Sequence, residues 1–267
     1  MSSDPGWIAQ MARSFYDAHK EKHPLPPTPA ALRNACLDEA YAVQEALQAM
    51  FTPERGEIAG YKIAITTPVM QQLMAIDQPL VGAIFARTIH QSPARLRHGD
   101  YRRIAVECEV ALRLAADLPA RSEPYTDKDV AAAVEACLPS IELIEDHGCD
   151  TYKEVGARAL IANNAWNAGC VLGAPVTAWR DLDLAAATGT MAINDKEIGR
   201  GRGGDVLGGH PLHVLAFVAN TLSRRGRGLR RGMIVQTGSV VATQWPRRGD
   251  EVRVAFTELG EARVRFD

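Results

Sequence analysis

The sequence predicts an α+β fold: a mixed or rolled sheet behind a helical N-terminal region. Three observations predict it. In the first part of the chain, apolar residues recur at helical spacing. From about residue 58 they alternate or fall in short runs bounded by Gly and Pro. The strands of the second half do not alternate regularly with helices, which argues against a doubly wound parallel sheet.

The elements follow in order. Ile8, Met11, Ala12 and Phe15 mark a first helix, and a second runs from about Leu37 to Met50. Between them His23-Pro24-Leu25-Pro26-Pro27-Thr28-Pro29 is a stiff extended connector. Thr52-Pro53 and Gly56 close the second helix. Ile58 to Thr66 reads as a strand. Ile104 to Ala115 is the clearest strand, with Val106, Cys108, Val110, Leu112 and Leu114 on one face and Glu107, Glu109, Ala111 and Arg113 on the other. Thr126 caps a helix expected to reach Leu138, where Pro139 ends it, and a short strand follows at Ser140 to Glu145. His210-Pro211 opens a helix that stops at Gly226. Strands at Met233 to Thr243, Glu251 to Thr257 and Ala262 to Phe266 complete the chain, the last two joined by a tight turn at Gly260. The division is a helical region over 1–57 and a sheet domain over 58–267, which together can form one compact unit.

Composition excludes several classes. The chain has 267 residues, 46% of them apolar, and a formal net charge of −2. A disordered chain is poorer in apolar residues, and a general nucleic-acid binder carries excess positive charge. No apolar run approaches the roughly 18–20 residues that span a bilayer, and the charged N-terminal stretch does not make a signal peptide. Five cysteines with no CxxC fit reduced, mostly buried thiols in a cytoplasmic protein. The arginine cluster Arg224, Arg225, Arg227, Arg230 and Arg231 suits a helix C-terminus and solvent.

Three carboxylates and a lysine stand out. Glu107 and Glu109 lie two apart on a strand, so both side chains share a face. They are either a solvent-facing edge or a buried pair that needs a cation, for which Mg²⁺ or Mn²⁺ is the natural choice. Glu142, flanked by apolar neighbours in Pro139-Ser140-Ile141-Glu142-Leu143-Ile144, could supply a third oxygen ligand. Lys62, in Gly60-Tyr61-Lys62-Ile63-Ala64-Ile65, either snorkels to the surface or faces an anionic substrate as cation and proton donor.

These motifs occur in a particular order. Gly60 to Thr66, Glu107-Cys108-Glu109 and Ser140 to Ile144 are followed by Asn163-Asn164-Ala165-Trp166-Asn167-Ala168-Gly169. Leu207-Gly208-Gly209-His210-Pro211-Leu212, Thr237-Gly238 and Arg248-Gly249-Asp250 come after them. The set resembles the fumarylacetoacetate hydrolase superfamily, in the branch of the 2-keto-4-pentenoate hydratases and 4-oxalocrotonate decarboxylases. Asp38 to Gln44 is similar to that branch's opening helix.

The resemblance implies a mixed β-roll core, Mg²⁺ or Mn²⁺ on Glu107, Glu109 and Glu142, and Lys62 in the active site. It implies a lyase acting on 2-oxo or 2-hydroxydienoate acids of aromatic catabolism, and a homo-oligomer that can associate with a pathway enzyme. Asn163 and Asn164 would orient substrate or water, and Thr237 and Gly238 would hold a carboxylate, unless these four serve turn chemistry. Leu80, in Gln78-Pro79-Leu80-Val81-Gly82, stands where the hydratases carry an acid and the decarboxylases an apolar residue. Asn163 replaces an aspartate, Trp166 a small residue and His147 an arginine. Asn167-Ala168-Gly169 is on the hydratase side. The expected activity is hydration, with decarboxylation as the alternative. A C–C bond hydrolase and a non-catalytic partner subunit remain as further readings.

Overall fold

The computed structural model describes residues 5–25, 27–149 and 155–267, so Pro26 of the expected connector lies outside the described residues. Helices α1 (Pro5–Glu21) and α3 (Leu37–Arg55) form the N-terminal region, with the short α2 (Ala30–Arg33) between them. The second helix runs past Met50 and through Pro53. Gly56 stops it instead, with φ of 82° and its N–H donating to the Thr52 carbonyl.

Among the described residues twelve strands make two mixed sheets. In the larger, β2 (Leu80–Phe85), β1 (Ile58–Ala64), β10 (Ile234–Gln236), β5 (Ile104–Leu114), β6 (Val134–Glu145), β7 (Asn167–Leu172) and β3 (Ile89–Gln91) lie in that spatial order. In the smaller the order is β4 (Ala94–Leu96), β12 (Gly260–Phe266), β11 (Glu251–Phe256), β8 (Thr188–Ile193) and β9 (Lys196–Arg202). Pairs β1–β10, β3–β7 and β4–β12 are parallel and the rest antiparallel. This is the α+β class with curled mixed sheets that the sequence predicts.

The even-numbered face of β5 packs against the second sheet. Val110 and Leu112 join Val252, Val254 and Val264 there, with Val214 and Val218 of α7 (Pro211–Ser223). Phe15, Leu47 and Phe51 of the N-terminal helices share a second core with Leu80, Phe85 and Ile161, the last from α6 (Ala157–Ala162).

Three expectations are corrected. The helix capped by Thr126 is only α5 (Asp127–Ala133), and the strand after it is twelve residues long, with Pro139 in its middle. Proline is tolerated because the Val110 carbonyl opposite it points to Thr237 instead. The Pro139 carbonyl accepts from Gly173 N–H just beyond the end of β7, so the missing N–H faces that end. The strand expected from Met233 to Thr243 is regular only to Gln236. Gly238, with φ of +101°, then breaks the regular ladder, and residues 238–243 run irregularly alongside β5, with Val240 N–H donating to the Cys108 carbonyl. The strand with Lys62 ends at Ala64 because Ile65 is left-handed, with φ of 58°.

Candidate metal and substrate site

β5 and β6 pair so that Glu107 lies directly opposite Glu142, with Glu109 one side-chain position further along. Glu109 and Glu142 are wholly buried, so the solvent-edge alternative fails. Ligand oxygens of the three carboxylates lie within 4.8 Å of one another. Like charges placed directly across a strand pair repel, and burial removes the water that would screen them.

Lys62 answers part of this charge. β10 separates β1 from β5, and Lys62 pairs in register with Gln236 on the face that carries the carboxylates. It does not snorkel: its side chain is 3% exposed, and Nζ lies 3.0 Å from Glu142 Oε1. Burial works against its charge, but Glu142, Glu107 and Glu109 together outweigh burial and raise its pKa. Burial, then the neighbouring carboxylates, push the Glu109 carboxyl well above its ordinary range. Glu107 is raised by burial and by Glu142, against the pull of Lys62 and Thr243.

Further donors hold the carboxylates in place. Gly238 N–H donates to Glu109 Oε2 at 3.0 Å, the Asn167 amide to Glu142 Oε1 at 3.1 Å, and the Thr243 hydroxyl to Glu107 Oε1. Glu109 Oε1 and Glu142 Oε2 are buried with no hydrogen-bond partner. An all-oxygen set with two such atoms fits a hard divalent cation.

A cavity of about 370 Å³ opens over this cluster. Lys62, Glu107, Ser239 and Thr243 lie at its polar end, and Ile65, Met70, Ile144, Leu160 and Trp166 form an apolar wall. Lys62 is the only cationic side chain among the described residues that line it.

The other expected residues sit as follows. Gly238 lines the cavity. Thr237 does not: its hydroxyl is committed to the Val110 carbonyl at 2.8 Å. Leu80 is buried in the helical-side core. Asn163 faces away, with Oδ1 2.7 Å from His19 Nε2. Asn164 is fully occupied by structure: its Oδ1 accepts from Ala83 N–H and Gln48, and its amide donates to the Ala83 carbonyl. It anchors an unusual turn, since Asn164, Ala165 and Trp166 are all left-handed, with φ of 53°, 49° and 58°. Gly82 allows this approach, because a Cβ there would lie 2.6 Å from the Asn164 carbonyl oxygen. Asn164 thus acts through Ala165 and Trp166, which line the cavity. Asn167 and Thr243 were not anticipated. Asn167 lies inside a quoted motif, but nothing in its spacing singles it out, and Thr243 reaches the site only through the irregular path after Gly238.

The family model for the fumarylacetoacetate hydrolase C-terminal region matches residues 70–267. The chain is 31% identical to a 2-keto-4-pentenoate hydratase of Burkholderia vietnamiensis over 268 residues, 99% of each chain. It is 32% identical to a 2-keto-4-pentenoate hydratase of Dechloromonas aromatica, over 93% of each. Among solved structures, 4-oxalocrotonate decarboxylase from Pseudomonas putida G7, complexed with magnesium and adipate, superimposes with a TM-score of 0.91 at 22% identity, covering 100% of this chain and 99% of that one. Fumarylpyruvate hydrolase from Pseudomonas aeruginosa, in complex with Mn²⁺ and pyruvate, gives 0.60 at 13% identity over 77% of this chain and 88% of that one.

Proposed function

The chain belongs to the fumarylacetoacetate hydrolase family, and from that premise we propose that it is a divalent-metal-dependent hydratase of short monocarboxylic 2-hydroxydienoic acids. The observation that carries this reading is the polarity of the cavity. Lys62 and Glu107 line it, with Glu109 and Glu142 buried beside Glu107, while Ile65, Met70, Ile144, Leu160 and Trp166 give it an apolar wall. That suits a ligand with one anionic 2-oxo acid end and an apolar chain. A dicarboxylate would bring its second charge against apolar side chains with no cation to meet it.

Glu107, Glu109 and Glu142 would hold Mg²⁺ or Mn²⁺, which when bound supplies Lewis acidity to the 2-oxo acid end of the substrate. Lys62 faces the same end and is the candidate proton donor, held as an ammonium by its carboxylate neighbours. Gly238 N–H and the Thr243 hydroxyl keep Glu109 and Glu107 aimed. Trp166 and Leu160 form part of the apolar wall against which the substrate chain would pack.

The test is an ultraviolet assay in saturating Mg²⁺ on 2-hydroxypenta-2,4-dienoate and on 4-oxalocrotonate. Turnover of the first with little or none of the second is expected. Preferred turnover of 4-oxalocrotonate, with release of CO₂, would replace hydration by decarboxylation. No helix among the described residues is long and apolar enough to cross a membrane. A cytoplasmic homo-oligomer, able to associate with a neighbouring pathway enzyme, belongs to the same proposal and is checked by sedimentation of the purified protein.

A further inference from the structure

A second cluster lies outside this site. β6 carries Glu142 and, three residues on, Glu145, so period two turns the two carboxylates to opposite faces. Glu145 and His147 meet His19, which comes from the last turn of α1. His19 Nδ1 lies 3.2 Å from His147 Nε2 and 3.9 Å from Glu145 Oε2, and the three ligand atoms fall within 4.8 Å of one another. The His19 and Glu145 side chains are 5% and 11% exposed.

The neighbours orient these groups. Asn163 Oδ1 is a carbonyl oxygen 2.7 Å from His19 Nε2, so that nitrogen carries the proton and the Nδ1 lone pair faces His147 and Glu145. This is how a second-layer acceptor fixes a metal-binding imidazole. Glu145 Oε1 accepts from Arg102 N–H, leaving Oε2 toward His19. His147 holds its place at a φ of +54°, uncommon for a residue with a side chain. Burial keeps both imidazoles neutral at pH 7, with their lone pairs available.

We propose that His19, Glu145 and His147 bind a transition-metal cation of the zinc class, separate from the three-glutamate site, and so clamp α1 to the end of β6. Ligand atoms about 2.1 Å from a tetrahedral zinc sit about 3.4 Å apart. The two nitrogens, 3.2 Å apart, are within about 0.2 Å of that separation, and the carboxylate oxygen, 3.9 Å from His19 Nδ1, has about half an ångström to close toward it. Two imidazoles and one carboxylate select a borderline ion over Mg²⁺, which prefers oxygen. Arg55 stands near both His19 and Glu145, and its charge opposes any divalent cation, so binding there must come from the strong imidazole bonds that a zinc-class ion makes. His19 and Glu145 also line a cavity of about 360 Å³, which leaves room for a water as fourth ligand. Without metal the same two nitrogens share a proton in a hydrogen bond, which is the competing account of their 3.2 Å approach.

The experiment titrates Co²⁺ into the full chain held in excess Mg²⁺, which reserves the oxygen-only site, and follows visible absorption. One equivalent of strongly absorbing, four-coordinate Co²⁺ per chain is expected, displaced by one equivalent of Zn²⁺. Affinity should fall at least tenfold in His19→Gln and in Glu145→Gln, while Glu142→Gln keeps the band. Absence of the band in the unsubstituted chain overturns the proposal and requires no variant to fold. So does a band that survives both His19→Gln and Glu145→Gln, or one that disappears in Glu142→Gln.

Discussion

Replacing Lys62 by Met removes the ammonium from a group of three carboxylates while keeping much of its apolar length. At 3.0 Å and an effective dielectric near 20, the attraction between Lys62 and Glu142 is about 5–6 kcal/mol. Desolvation offsets part of it, and breaking a buried pair from one side costs about 3–5 kcal/mol in practice. With about 2–4 °C of Tm per kcal/mol for a chain of this size, the drop is roughly 6–20 °C in a chelating buffer. A divalent ion on the three glutamates supplies the missing positive charge, so in saturating Mg²⁺ the same substitution should cost less than half as much. Lys62→Met should therefore show a larger Mg²⁺-induced rise in Tm than the unsubstituted chain. Its turnover in saturating Mg²⁺ should still fall, by about 10²–10⁴ if the lysine is the proton donor. The assay is thermal unfolding of both chains with and without Mg²⁺. An equal Tm loss in the two buffers would refute the idea that lysine and metal share one charge cluster.

Other perturbations separate the roles of neighbouring residues. Glu142→Gln should lower Mg²⁺ affinity and turnover severely with the fold retained; near-normal turnover at saturating Mg²⁺ would remove Glu142 from the site. Gly238→Ala forces a side chain onto a φ of +101° and disturbs the N–H that holds Glu109, so Mg²⁺ affinity by calorimetry should fall at least tenfold. Asn164→Leu strands the Ala83 backbone groups and frees the left-handed turn; about 2–4 kcal/mol of stability should be lost in urea melts, with a raised KM because Trp166 shifts. Stability should also depend on His147. Burial pushes its imidazole down to about 4, so below about 6.5 the unfolded chain binds a proton that the folded chain refuses, and stability falls as pH drops from about 6.5 to about 4, by up to about 3 kcal/mol. The raised Glu107 and Glu109 carboxyls act in the opposite sense, so the check is the difference between the unsubstituted chain and His147→Gln in chelator, which should stop changing with pH above pH 7.

Much of the fold was legible because its elements are locally determined. Period two along Ile104 to Leu114 separates a core face from a carboxylate face, and both faces occur as predicted. Thr126 and His210 are side-chain caps, and each caps the helix expected of it. Pro139 misled because a proline's tolerance depends on which neighbour its missing N–H faces, which is a property of the sheet and not of the local sequence. The path after Thr237 was equally hidden: Met233 to Thr243 is rich in residues suited to a strand, and only the bond from Gly238 N–H to Glu109 on the neighbouring β5 shows what its irregular path serves.

The candidate site divides along the same line. Glu107, Glu109, Glu142 and Lys62 lie on strands, where alternation fixes the face a side chain takes, and all four converge. Asn163, Asn164, Thr237 and Leu80 lie in a turn, at a strand's end or at a strand's start, where one residue of register decides between cavity and core. Their amides and hydroxyl are bound to His19, Ala83 and the Val110 carbonyl instead. This changes what the departures from the family pattern mean. Leu80 lies outside the described cavity lining and gives no ground for preferring decarboxylation, whereas Trp166 stands in the cavity wall and narrows its apolar end. Replacing Trp166 by Ala should therefore lengthen the substrate chain the cavity accepts, read as kcat/KM over a series of 2-hydroxydienoates with growing alkyl ends. Unchanged selectivity across that series would detach Trp166 from specificity and return the question to the polar end of the cavity.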